Sequence, residues 1–185
     1  MASALITGGT SGIGHAFAVE FASRGTDLVL VARDADRLEK VAAELRETHG
    51  VEVETISADL AVRDDAMRVA DRIEDPARPI DWLINNAGFG LHSTVLDRSE
   101  IDIQAKAFDV MCLAVLILGG AAGRAMRARG SGRIVNVAST SAAIYTGNYS
   151  AVKAWARTYS TALQLELRGT GVTVTGLLPG WVRTE

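Results

Sequence analysis

The amino-acid sequence predicts a doubly wound α/β fold, a parallel sheet held between two layers of helices in a three-layer α/β/α arrangement. Six short apolar runs rich in β-branched residues fall at 4–7, 28–31, 51–57, 80–85, 133–138 and 172–178. Near-continuous apolar runs suit strands buried on both faces. Between them lie 12–24, 35–49, 63–75, 101–129 and 149–168, where apolar side chains recur at steps of three and four, the period of a helix. The two patterns alternate along the whole chain, and right-handed crossovers then make the strands parallel. No linker-like, low-complexity or repeated segment interrupts them, so 1–185 is read as one domain.

The first run ends at Thr7 and passes into Gly8-Gly9-Thr10-Ser11-Gly12-Ile13-Gly14, after which the first helical segment begins. Glycine lets the backbone turn sharply and approach a pyrophosphate, and the free N–H groups at a helix start face its phosphates. With a strand before it and a helix after it, this loop reads as a nucleotide-phosphate cradle. The second run ends near Ala32, roughly 20 residues beyond the loop, where an NAD-type site offers a carboxylate to the ribose. Here the residues are Ala32-Arg33-Asp34. A neutral residue followed by arginine fits a 2′-phosphate, which a guanidinium holds through two parallel hydrogen bonds, so NADP(H) is favoured over NAD(H). Asp34 is placed to cap the helix that follows.

Pro76 and Pro79 bracket the loop before the fourth run. The longest apolar stretch, 110–122, has 13 residues, short of the ~20 a membrane span needs, and reads as a buried helix. The fifth run leads to Ser139, at the carboxyl edge of the sheet where open α/β sheets bind ligands. Tyr149 and Lys153 open the last helical segment, four residues apart on one face. A tyrosine with a pKa of about 10 is a poor acid–base catalyst at neutral pH unless a cation favours its phenolate. Lys153 supplies that cation. Together the three groups can polarise a carbonyl and deliver a proton while a nicotinamide gives hydride.

Composition excludes other classes. Of 185 residues, 48% are hydrophobic and 22% charged, close to globular averages. Nineteen Lys and Arg against 22 Asp and Glu give a net charge of −3, with no basic run to mark a nucleic-acid or anionic-membrane partner. The single cysteine, Cys112, cannot form an intrachain disulfide, and it reads as an inert buried thiol. His15, His49 and His92 are too scattered for a local metal motif, so no metal is expected. The N-terminus lacks the features of a signal peptide, and a reducing cytoplasm is the expected location. His92 reads as a surface-loop residue, Trp155 as packing and Trp181 as a pocket residue.

Taken in order, these motifs resemble the short-chain dehydrogenase/reductase family in its shorter oxidoreductase form, a Rossmann fold. The glycine loop matches the family's cofactor loop, Asp59-Leu60 its adenine contact and Asn85-Asn86-Ala87-Gly88 its fourth-strand signature. Ser139, Tyr149 and Lys153 match its catalytic residues, and Pro179-Gly180-Trp181-Val182-Arg183-Thr184 the segment that packs on the nicotinamide. The glycine spacing, four steps from Gly8 to Gly12 and two from Gly12 to Gly14, resembles the oxidoreductases and not the extended epimerases. The resemblance implies an NADP(H)-dependent oxidoreductase interconverting a ketone or aldehyde and an alcohol. Tyr149 is then the general acid/base, Lys153 binds the nicotinamide ribose and lowers the tyrosine pKa, and Ser139 orients the substrate carbonyl. Gly8, Thr10, Ser11, Gly12, Ile13, Gly14, Arg33, Asp59, Leu60, Asn86, Ala87, Gly88, Pro179, Gly180, Val182 and Thr184 form the cofactor site with Tyr149 and Lys153. The same resemblance implies a homodimer or homotetramer assembled through segments 101–129 and 149–168.

Three features depart from the family pattern. Met111 stands where a catalytic Asn is usual, and a thioether cannot copy an amide. Ser139 precedes Tyr149 by ten residues, a shorter spacing than many members have, which makes Thr140 and Ser141 competitors for its role. The chain stops at Glu185, where members usually continue for roughly another 50 to 70 residues, so the domain is expected to be incomplete at its C-terminus. These departures motivate an alternative, a non-catalytic nucleotide-binding or redox-sensing interaction module.

Overall fold

The structure, a computed structural model, describes residues 2–181. Its strands are β1 (Ser3–Thr7), β2 (Asp27–Ala32), β3 (Val53–Ser57), β4 (Trp82–Asn85), β5 (Gly132–Val137) and β6 (Val172–Leu177). They pair in parallel in the order β3-β2-β1-β4-β5-β6. The chain therefore winds outward from β1 to β3, crosses back and continues from β4 to β6. Successive connections leave β1 and β4 toward opposite sides, which opens a crevice at their carboxyl ends.

The central strands are apolar throughout because both of their faces are buried. Leu5, Val29 and Leu83 join a cluster with α3 (Arg63–Glu74), α5 (Ala114–Arg129) and α6 (Asn148–Glu166). Their neighbours Ala4, Ile6, Leu28, Leu30 and Ile84 point the other way, onto α1 (Gly12–Ser23) and α2 (Ala35–His49). The edge strand β6 departs from this rule. Thr173 and Thr175 are exposed while Val172 is buried, so its Val/Thr alternation marks a strand covered on one side only.

Local signals set the helix ends. The Asp34 carboxylate accepts the Arg37 backbone N–H at 3.0 Å and caps α2, as its position in the sequence implies. Helix α3 stops at Glu74 because Asp75, forced extended by Pro76, cannot continue it. Segment 101–129 is not one regular helix. It divides into α4 (Ile101–Phe108), a wide turn at Asp109–Leu113 in which the Ala114 N–H reaches back five residues to the Asp109 carbonyl, and α5. Such a turn inserts one residue into the ladder and redirects the side chains beside it. Val110, Met111 and Cys112 thereby all meet Val152 of α6 in one cluster beneath the crevice. By length and composition the helical run 98–129 could cross a membrane, but 56% of its apolar window is buried inside the fold, against the sheet and neighbouring helices.

Candidate active site

The glycine loop is held by its neighbours across the sheet. Thr7, at the end of β1, accepts the N–H groups of Asn86 and Ala87 on its hydroxyl at 2.9 and 3.0 Å. The Asn86 side-chain amide in turn donates to the carbonyls of Thr7 at 3.0 Å and Gly8 at 3.3 Å. This clamp leaves no room at Gly14, where a Cβ would collide with the Gly8 carbonyl and the Asn86 amide, while Gly8 itself has a positive φ of 67°. Ser11 begins α1 in extended conformation with no side-chain cap, so its hydroxyl and the first N–H groups of the helix are available to an anion. These features fit a pyrophosphate.

One cleft of about 830 Å³ runs from this loop across the carboxyl ends of the strands. Gly8, Thr10, Ser11, Gly12 and Ile13 line one end with Arg33, Asp59 and Leu60; Asn86, Ala87 and Gly88 line its floor; Ser139, Tyr149, Lys153, Pro179 and Gly180 line the other end. Gly14 does not line the cleft, because its part is to let α1 approach the loop. Trp181 is fully exposed and lies outside the cleft. Val182 and Thr184 lie outside the described residues.

At the end of β2, Arg33, Asp34 and Arg37 all line the cleft, and one Asp34 carboxylate oxygen accepts the capping bond. The Ser57 hydroxyl donates to the Arg33 carbonyl at 3.1 Å and fixes the backbone beneath the guanidinium. Asp59 accepts the Ala61 N–H at 3.0 Å and the Lys106 ammonium at 3.1 Å. Its burial opposes ionisation, but the Ala61 N–H, Lys106 and Arg33 together hold its pKa below the usual value. Arg37 and Lys106 were missed in the sequence; Lys106 comes from the remote helix α4, which no local pattern announces.

At the other end, the three proposed reacting groups converge. The Ser139 hydroxyl accepts the Ser141 N–H at 3.0 Å, which leaves its proton free to turn toward the cleft. Thr140 is engaged with the Pro179 carbonyl, and neither Thr140 nor Ser141 lines the cleft, so the ten-residue spacing still presents Ser139. Burial raises the Tyr149 pKa, and a hydrogen bond with Ser139 offsets part of the rise. Lys153 is 6% exposed, donates to the Val137 carbonyl at 2.9 Å and lies 5.7 Å from the centre of the Tyr149 ring. Burial pulls its own pKa down to about 8. With the phenol raised by burial, Tyr149 is held in its protonated form, and the Lys153 ammonium stands beside its ring.

Met111 is 2% exposed, and its sulfur fills the space over Gly88 that a Cβ would occupy. It packs the floor of the cleft and offers no hydrogen bond in place of an amide. Cys112 is buried, and burial pushes its thiol up to about 11, in keeping with an inert group. His92 lies in the loop after β4, lining a separate shallow recess with Asp97 and Glu100. Trp155 stacks on Tyr159 with centroids 4.8 Å apart. Among the described residues no cluster of His, Cys, Asp and Glu could hold a metal ion.

The family model for short chain dehydrogenases matches residues 2–185. An uncharacterized oxidoreductase from Staphylococcus saprophyticus is 33% identical over 184 residues, covering 98% of this chain and 78% of the relative. The very-long-chain 3-oxoacyl-CoA reductase of Bos taurus is also 33% identical, over 195 residues and 98% of this chain, which spans 60% of that protein's length. The short-chain dehydrogenase from Sphingobium yanoikuyae, solved in complex with NADPH, superposes with a TM-score of 0.95 at 38% identity, over 100% of this chain and 73% of the other. With the doubly wound sheet, the clamped glycine loop and the serine, tyrosine and lysine of one cleft, these matches establish that the chain belongs to the short-chain dehydrogenase family.

Proposed function

We propose that this chain is the catalytic and cofactor-binding part of an NADP(H)-dependent oxidoreductase that interconverts a ketone or aldehyde and an alcohol. The observation that carries the reading is that one cleft holds a phosphate cradle, two arginines and the Ser139, Tyr149 and Lys153 side chains. Bound NADPH supplies a hydride, and everything else asked of the site is binding and proton management. Ser139, oriented by the Ser141 N–H, donates to the substrate oxygen and sets its place beside Tyr149. Tyr149, kept protonated by burial, gives its phenolic proton to that oxygen as charge develops on it. The neighbouring Lys153 ammonium then favours the resulting phenolate, and its hydrogen bond to Val137 keeps the charge in place.

Selectivity for NADPH follows from the adenosine end. Arg33 and Arg37 line the cleft at the end of β2 and can hold a 2′-phosphate, while the neighbouring Asp34 spends one carboxylate oxygen on the helix cap. The NADPH complex of the Sphingobium yanoikuyae relative supports a nicotinamide dinucleotide in this cleft.

The test joins binding and turnover. NADPH is expected to bind at least tenfold tighter than NADH, a difference of ~1.4 kcal/mol, in a fluorescence titration. Tyr149→Phe should retain that affinity while turnover across a panel of ketones and aldehydes falls by at least ~100-fold, the usual scale for losing a general acid. Equal affinity for NADH removes the Arg33 assignment. Tight NADPH binding with no Tyr149-dependent turnover selects the non-catalytic binding module instead.

A further inference from the structure

Gln104 takes no part in the chemistry above, yet this polar residue of α4 is only 2% exposed. Its amide is fully committed within the protein. The nitrogen donates to the Ser93 carbonyl at 2.9 Å and meets the Ser93 hydroxyl at 3.0 Å, and the oxygen accepts from the Asn148 side-chain amide at 2.9 Å. The two partners lie outside the cleft, in two segments whose neighbouring residues line it. Ser93 lies in the segment that leaves β4, whose residues Gly88, Phe89 and Gly90 line the cleft. Asn148 is the first residue of α6, directly before Tyr149, and this helix has no capping side chain at its start.

We propose that Gln104 is a positioning residue for the proton-transfer site, tying the segment after β4 to the first turn of α6 and so setting where the Tyr149 phenol stands relative to Ser139 and Lys153. The bridge needs a donor at one end and an acceptor at the other, which only a carboxamide side chain provides in this geometry. An ionised Glu could still accept from Asn148 but could not donate to the Ser93 carbonyl, and it would bury a charge. Alanine would remove the tie to Ser93 and Asn148, leaving the first turn of α6 held by the bonds between Ser150 and Thr146 alone among its side chains. The titratable groups facing Tyr149 are Lys153 of its own helix and Cys112 of the cluster on which the ring packs; Ser139 faces it from the loop after β5.

The proposal rests on Tyr149 being the acid/base group, so its test includes a readout independent of turnover. The full chain is prepared with isotope-labelled tyrosine, the Tyr149 ring resonance is assigned with Tyr149→Phe, and its pH titration is followed by NMR. Gln104→Ala and Asn148→Ala are each expected to move the Tyr149 titration by about half a pH unit or more, leaving that of the remote Tyr159 in place. The double variant should move it no further than either single one, because both remove the same bridge. Exchanging the two lengths, Gln104→Asn with Asn148→Gln, should return the titration toward wild type. Where a carbonyl substrate is turned over, kcat should fall about tenfold in the single variants with KM and NADPH affinity little changed.

Folded single variants with a wild-type Tyr149 titration would overturn the proposal. If Gln104→Ala does not fold, the half-buried Asn148→Ala variant decides the question alone. A wild-type protein without turnover defeats the catalytic reading, while the titrations still decide the bridge. Tyr149-dependent turnover unaltered in the Gln104 and Asn148 variants defeats the bridge and leaves the catalytic reading standing.

Discussion

Lys153 is the residue on which stability and the proposed chemistry pull in opposite directions. Its ammonium is buried on the Val137 carbonyl, and burial lowers its pKa from 10.5 to about 8. Between those two values the unfolded chain binds a proton that the native protein does not, so stability rises with pH across that window. The contribution of this group is fully present above about 10.5 and is lost as pH falls through about 8, where holding the charge costs on the order of a few kcal/mol. Lys153→Met removes the titration. Measured by chemical denaturation, the stability of wild type relative to Lys153→Met should therefore increase steadily from pH 7.5 to pH 10.5. A difference that stays flat across that range would show that the lysine titrates at its ordinary value. Met111 makes the opposite trade: its thioether fills the space over Gly88, and an amide there would need partners that the surrounding apolar cluster lacks.

The element on which the proposed cofactor binding turns is the junction of β1, the glycine loop and α1. It holds its shape through two kinds of contact, the Thr7 and Asn86 hydrogen bonds and the close approach of α1 at Gly14. Substitutions at two glycines separate backbone contact from side-chain contact. In Gly14→Ala the new methyl meets the Gly8 backbone and the Asn86 amide, so the loop has to move. In Gly88→Ala it meets the flexible end of Met111, at 2.9 Å from the sulfur, and that side chain can yield. By calorimetric titration Gly14→Ala should lose at least about 100-fold in NADPH affinity, ~2.7 kcal/mol. Gly88→Ala should lose less than about threefold, well under 1 kcal/mol. Equal losses at the two positions would mean that the loop is not held by the approach of α1. The other irregular element, the wide turn at Asp109–Leu113, serves the opposite end of the cleft by bringing three consecutive side chains under Tyr149 and Val152.

At the scale of the whole molecule, what the sequence reveals follows from the range of the interaction. Strands β1, β2 and β4 are legible because burial on both faces makes them apolar throughout, and the glycine loop because its turn and close approach demand glycine locally. The Asp34 cap is legible for the same reason. The exposed face of β6 is overlooked when its Val/Thr alternation is read as one more apolar run, and the wide turn is hidden because apolar residues continue across it. Lys106 on Asp59 and Gln104 between Ser93 and Asn148 arise from contacts of 47, 11 and 44 residues in separation, and the longer of these have no local signature. The cleft itself is such a tertiary product, built from segments at the ends of all six strands, so a ligand bridging its two ends should stabilise the fold as a unit. NADPH at about 100 times its Kd adds ~2.7 kcal/mol. For a domain of this size that raises the melting temperature by roughly 5–10 °C. Arg33→Ala, compared at the same NADPH concentration, should lose about half of that rise if the 2′-phosphate contact is worth ~1.4 kcal/mol. The smaller rise produced by NADH should be unaffected, because NADH has no 2′-phosphate for Arg33 to hold. An undiminished NADPH shift in Arg33→Ala would move the selectivity to Arg37, and an equal loss with both cofactors would reduce Arg33 to a general support for the adenosine end of the cleft.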